Sequence, residues 1–103
     1  MEKRDVLSSI KFQVLKIVPG AKVMLFGSRA YCAPTDESDW DILILTPHPV
    51  IAVIKRSIHD ALFPISVKIA AFINTVTVQE NDWQKSPSYY SLYQSIANRM
   101  IEI

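Results

Sequence analysis

Short stretches of consecutive apolar residues constrain this fold more than any other feature of the chain. Residues 23–26 read Val-Met-Leu-Phe, and residues 42–45 read Ile-Leu-Ile-Leu within an expected second strand over 39–46. A short apolar run between turn residues is typical of a strand that is buried on both faces. Helical patterns precede and follow these runs, so the sequence predicts an α/β (α+β) domain with a small mixed β-sheet flanked by helices.

The remaining elements follow from periodicity and from turn residues. Apolar residues recur every three or four positions from Val6 to Val18, which predicts a first helix that Pro19-Gly20 ends. The other expected elements, in chain order, are a helix over 51–62 that Pro64 ends, a third strand over 65–73, a short β-like piece over 75–78 and a last helix that begins at Ser86-Pro87.

Length and charge restrict the organisation and the partners. With 103 residues the chain predicts a single domain over 1–103, and a fold this small leaves much surface in water, so a partner protein or a homodimer is plausible. Eleven basic and 10 acidic residues give a net charge of +1. A protein that binds nucleic acid through bulk charge is far more basic, so no strong nucleic-acid binding is expected.

The cysteine content and the apolar runs indicate the cellular setting. Cys32 is the only cysteine, which excludes an intramolecular disulfide and a cysteine-based metal site and favours a reducing environment. No apolar run approaches the roughly 18 residues of a membrane span, and the N-terminal residues lack the apolar block of a signal peptide. The sequence therefore predicts a cytoplasmic protein without a membrane partner.

A candidate anion-binding turn follows the first strand. Gly27-Ser28 stands where the apolar run gives way to the start of a helix. Glycine lets an anion approach the backbone, and successive N–H groups at such a turn form a positively polarised nest. The Ser28 hydroxyl can donate to a phosphate oxygen, and Arg29 can add positive charge. The alternative interpretation is an ordinary turn without a ligand.

A candidate metal-binding pair opens the second strand. Asp39 and Asp41 are two residues apart, so in a strand their carboxylates share a face while Trp40 points to the other. Two adjacent carboxylates repel each other unless a cation compensates them, and Mg²⁺ does so while keeping positions for water and phosphate oxygens. The alternative is a pair of aspartates that keeps a strand end hydrated.

Taken together, the turn and the pair resemble a known signature. Residues 25–28 and the stretch that begins Ser38-Asp39-Trp40-Asp41, with 10 residues between Ser28 and Asp39, resemble the polymerase-β-type nucleotidyltransferase superfamily. The small size points to its minimal nucleotidyltransferase (MNT) family. The resemblance implies a palm-like nucleotidyltransferase fold. It also implies that Gly27 and Ser28 hold the β- and γ-phosphates and that Asp39 and Asp41 are catalytic and bind Mg²⁺. Arg29, through its charge, and Ser38 are further candidate triphosphate ligands.

One part of the family pattern is missing. Active members carry a third carboxylate on a later strand, where it helps to hold a second metal ion and activates the attacking hydroxyl. On the strand expected over 65–73, the corresponding residues are Ser66 and Lys68, and Lys68 would neutralise Asp41 in place of a metal ion. Whether the chain is an enzyme therefore stays open. The other acids that could substitute are Asp36, Glu37, Glu80 and Asp82.

These observations support three functional hypotheses. The first is a protein that binds ATP or another nucleoside triphosphate with Mg²⁺ and transfers AMP to a hydroxyl of a partner protein. The resemblance implies an antitoxin-like role with a HEPN-domain protein as that partner. The second is a catalytically reduced binding module that neutralises or scaffolds such a partner without transfer. The third is an unrelated α/β domain in which the turn and the acid pair coincide by chance.

Overall fold

The computed structural model describes residues 2–31, 39–83, 85–96 and 99–103. Its centre is a four-stranded mixed sheet in the order β3-β2-β1-β4, in which β1 pairs antiparallel with β2 and β4 while β2 and β3 are parallel. The elements in chain order are α1 (Lys3–Ile17), β1 (Lys22–Phe26), α2 (Ser28–Tyr31), β2 (Trp40–Thr46), α3 (Ala52–Ile69), β3 (Ile73–Gln79), α4 (Glu80–Trp83), α5 (Pro87–Ile96) and β4 (Ile101–Glu102).

Both faces of the two central strands are covered. Along β1, Val23 and Leu25 face one apolar cluster and Met24 faces the other, because successive side chains of a strand alternate between its faces. The mixed sheet with flanking helices predicted from the apolar runs is therefore confirmed. The first cluster contains Val6, Ile10, Val14, Val18, Val23, Leu25, Trp40, Ile42, Ile44, Ile58 and Leu62, and the second contains Met24, Leu43, Leu45, Val78, Trp83 and Ile96.

The prediction of a third strand over 65–73 is wrong. Helix α3 continues through Pro64 to Ile69 instead of ending there. Proline removes one helical hydrogen bond, but Ile65 and Ile69 extend the apolar stripe of the helix and pack against the first cluster. This burial compensates for the lost bond. Ser66 and Lys68 consequently lie on a helix, and the strand that follows β2 in the sheet begins at Ile73.

Helix α3 ends at a residue with a strained backbone. Ala70 has φ 54°, its N–H bonds to the carbonyl of Val67, and the N–H of Ala71 bonds to the carbonyl of Ser66, which together form a Schellman motif. Glycine adopts this left-handed conformation without the steric cost that a Cβ atom brings.

We expect Ala70→Gly to stabilise the fold by about 1 kcal/mol, because it relieves this strain. The measurement is urea unfolding followed by circular dichroism. The matched control is Ala61→Gly inside α3, which should destabilise by a similar amount because glycine is a poor helix former there. A loss of stability in Ala70→Gly would contradict the expectation.

Candidate functional site

One edge of the sheet collects the ends of three strands. β1 ends at Phe26, which lies opposite Asp41 near the start of the antiparallel strand β2. β3 runs parallel to β2 and places Asn74 beside Asp41. The residue after β1 and the polar residues that begin β2 and β3 therefore meet at this edge.

Gly27 and Asp41 are in direct contact. Gly27 has φ +76°, a conformation that residues with a Cβ atom rarely adopt. A Cβ atom at this position would overlap the Oδ2 atom of Asp41 and would lie 3.0 Å from its Cγ atom. Position 27 therefore requires glycine for two independent reasons. The expected convergence of the turn and the acid pair is confirmed for these two residues, whereas Ser38 and the side chain of Ser28 lie outside the described part of the chain.

Asn74 joins the two carboxylates. Its Nδ2 atom donates hydrogen bonds to Oδ2 of Asp39 at 3.1 Å and to Oδ1 of Asp41 at 3.2 Å. A side-chain amide carries two N–H donors, so one amide group serves both acids and offsets part of their mutual repulsion. The two carboxylates thus point towards a common centre.

The position facing the acid pair from the third strand therefore belongs to Asn74, and the assignment of Ser66 or Lys68 to it is wrong. The hydroxyl of Ser66 donates to the carbonyl of Phe63 within α3 at 2.7 Å. Lys68 is exposed and lines a groove between α3 and α1. The sequence signal that could have identified Asn74 is the alternation of threonine and valine over 75–78, because it marks a strand and Asn74 directly precedes it.

Among the described residues, the acids proposed as substitutes for the third carboxylate lie away from the edge that carries Asp39 and Asp41. Glu80 and Asp82 belong to α4, which follows the far end of β3. The Oε2 atom of Glu80 lies 2.8 Å from Nζ of Lys22, at the opposite end of β1, and this hydrogen bond and charge raise the pKa of Lys22. Asp36 and Glu37 lie outside the described residues.

Arg29 is held on the other side of β2. Trp40 stands between the two acids in sequence, is buried, and points to the opposite face of the sheet from Asp41. The guanidinium carbon of Arg29 lies 4.2 Å from the centre of the Trp40 ring, a typical cation–π distance. The structure thus brings Gly27, Asp39 and Asp41 together and places the Arg29 guanidinium on Trp40.

The acid pair fits a magnesium ion whose remaining ligands are water and phosphate oxygens. Asp39 and Asp41 supply hard oxygen atoms; the Asn74 amide donates to one oxygen of each carboxylate, and a cation that compensates both charges would bind the other oxygens. Mg²⁺ is commonly held by one or two carboxylates, water and substrate phosphates. Within residues 2–31, 39–83, 85–96 and 99–103, no cluster of three His, Cys, Asp or Glu residues could hold a metal ion alone. The site therefore provides two carboxylates where the family pattern has three.

The comparisons with known proteins agree with this architecture. Residues 7–87, most of the chain, match the family model described as a nucleotidyltransferase domain. A comparison with curated proteins finds no match. Among the described helices, none combines the length and the apolar character needed to cross a membrane.

Proposed function

Because the chain belongs to the nucleotidyltransferase domain family, we propose that it binds a nucleoside triphosphate, with ATP as the first candidate, together with Mg²⁺. The contact between Gly27 and Asp41 carries this proposal. It brings a backbone that an anion can approach closely against a carboxylate that can ligate a cation. A metal–triphosphate unit needs both of these groups side by side.

The roles follow from these positions. The Gly27–Ser28 turn binds the outer phosphates, with Ser38 as a further candidate ligand. Arg29 is a candidate ligand that would have to leave the Trp40 ring to contact them. Asp39 and Asp41 hold the Mg²⁺, which when bound neutralises phosphate charge and polarises the α-phosphorus. Asn74 keeps both carboxylates oriented through its two hydrogen bonds.

The reaction of this site would be nucleotidyl transfer to a hydroxyl of a partner protein. The acceptor oxygen forms a bond to the α-phosphorus. The bond from that phosphorus to the oxygen that bridges the α- and β-phosphates breaks, and pyrophosphate leaves with the bond electrons. The hydroxyl proton passes to water. The partner we propose is a HEPN-type protein in a cytoplasmic, antitoxin-like pairing, and a homodimer would bring two such sites together.

Asn74 favours a second candidate function. A neutral amide cannot accept the proton of the attacking hydroxyl, and as a metal ligand it is weaker than a carboxylate. The alternative is a module that binds the nucleotide and neutralises or scaffolds the partner without transfer. The two candidates share the nucleotide site and differ only in whether AMP reaches the partner.

We expect saturating ATP with Mg²⁺ to raise the Tm by several degrees in a thermal scan, since a ligand that binds only the folded state stabilises it. The double variant Asp39→Asn/Asp41→Asn should lose this shift, because amides replace both metal-binding carboxylates. Asp60→Asn, which changes an exposed acid on α3, is the matched control and should keep it. An unchanged shift in the double variant would contradict the proposed site.

Transfer itself is tested with ATP labelled at the α-phosphate and the protein that co-purifies with the chain. Label that becomes covalently attached to that protein, and that disappears with Asp39→Asn/Asp41→Asn, supports transfer. Nucleotide binding without covalent label supports the binding module.

A further inference from the structure

A cavity of about 360 Å³ borders Asp39, the first residue of the acid pair. This volume falls within the roughly 300 to 1,000 Å³ of small-molecule sites. Its wall is mostly apolar and comes from the last turns of α3 and the segment before β3. The apolar lining residues are Phe63, Val67, Ala70, Ala71 and Phe72, and Asp39 forms the border with the acid pair.

The cavity continues a line of groups along the sheet edge. Gly27 contacts Asp41, Asp41 shares the Asn74 amide with Asp39, and Asp39 borders the cavity. A nucleoside triphosphate has its chemical groups in the same order: outer phosphates, a metal-bound phosphate, then the nucleoside. If the phosphates lie at Gly27 and the metal at the acids, the covalently attached nucleoside lies next to the cavity.

We propose that this cavity binds the nucleobase of the triphosphate, an inference that rests on the proposed function. Residue Phe72 is 75% exposed and residue Phe63 is 58% exposed, so both present aromatic surface that a planar base can cover. The Phe72 backbone is fixed, because its carbonyl accepts a hydrogen bond from the N–H of Trp40 at 2.9 Å. The backbone that carries the Phe72 ring is thus joined to the residue between the two acids.

The same cavity offers few groups that could distinguish one base from another. Its polar side chains are those of Ser66 and Asp39. The Ser66 hydroxyl already donates to the carbonyl of Phe63, and the Asp39 carboxylate already accepts from Asn74. Recognition therefore comes from stacked area rather than from hydrogen bonds. ATP and GTP should bind with similar affinity, and both should bind more tightly than CTP, whose base is smaller.

The test compares ATP with inorganic tripolyphosphate, each with Mg²⁺, by isothermal titration calorimetry on the whole chain. Tripolyphosphate reports the phosphate and metal end alone. ATP should bind about tenfold more tightly than tripolyphosphate. Phe72→Ala should weaken ATP binding about tenfold and leave tripolyphosphate binding unchanged, because it removes only an aromatic surface. The matched control is Phe12→Ala, which truncates a ring 62% exposed on α1 away from the cavity and should change neither affinity.

Each outcome decides between the proposals. If tripolyphosphate binds but ATP binds no more tightly, or if Phe72→Ala and Phe63→Ala both leave ATP affinity unchanged, the nucleobase assignment is overturned while the phosphate site stands. If neither ligand binds the unaltered protein, the proposed function fails and the nucleobase assignment fails with it. A fall in ATP affinity confined to the two cavity variants supports the assignment.

Discussion

Gly27→Ala is expected to abolish detectable nucleotide binding and to destabilise the protein at the same time. The new Cβ atom would overlap the Asp41 carboxylate, so either the turn or the acid must move. The backbone at φ +76° also strains any residue with a Cβ atom, at a cost of about 1 to 2 kcal/mol before the overlap is counted. Urea unfolding measures the stability, and calorimetry with ATP and Mg²⁺ measures the binding.

Gly20→Ala separates the two effects. Gly20 has a similar backbone conformation, with φ +87°, but an added Cβ atom would meet only the Pro47 Cγ atom at an ordinary 3.7 Å. This variant should lose stability through backbone strain and keep its nucleotide affinity. Equal losses of affinity in Gly20→Ala and Gly27→Ala would show that the overlap with Asp41 does not matter.

Asn74→Asp is expected to change the metal dependence of the protein more than any other single substitution on β3. It places a third carboxylate where an amide now donates to Asp39 and Asp41. Without metal the three charges repel, so the Tm in EDTA should fall by on the order of 5 °C. Mg²⁺ should restore the Tm and bind on the order of tenfold more tightly, since the ion gains a charged ligand.

The control for added charge is Asn81→Asp, the same substitution at an exposed position of helix α4. It should alter neither the Tm in EDTA nor the Mg²⁺ affinity. If transfer is limited by the missing acid, Asn74→Asp should also increase the label that reaches the partner protein. An unchanged Mg²⁺ affinity in Asn74→Asp would mean that residue 74 does not face the metal site.

The elements at the centre of the fold could be predicted because their sequence patterns are long or uninterrupted. The helical stripe from Val6 to Val18 corresponds to α1, and the apolar runs over 23–26 and 42–45 lie in β1 and β2. The proline after Ser86 begins α5, as predicted. In each case the local preference and the burial in the folded chain agree, so the pattern alone is sufficient.

The end of α3 was predicted incorrectly because the local sequence preference and the burial in the folded chain conflict there. Pro64 is a local signal that ends a helix, but Ile65 and Ile69 continue the apolar stripe of α3 and pack, partly buried, against the core. Because a strand was expected over 65–73, the residue facing the acid pair was assigned to Ser66 or Lys68, and Asn74 was not identified. Strand β4 has only two residues, Ile101 and Glu102, which is too short for any periodicity to indicate.

The candidate site depends on the correct alignment of strands that are distant in sequence. Side chains alternate along a strand, so sliding β3 past β2 by one residue would turn Asn74 away and present Ile73 or Thr75 to the acids. A ligand that contacts both carboxylates and their amide partner would therefore bind only when β2 and β3 are paired in the observed register. The proposed nucleotide would then stabilise only the folded state with the correct strand alignment, and not states in which β3 is misaligned.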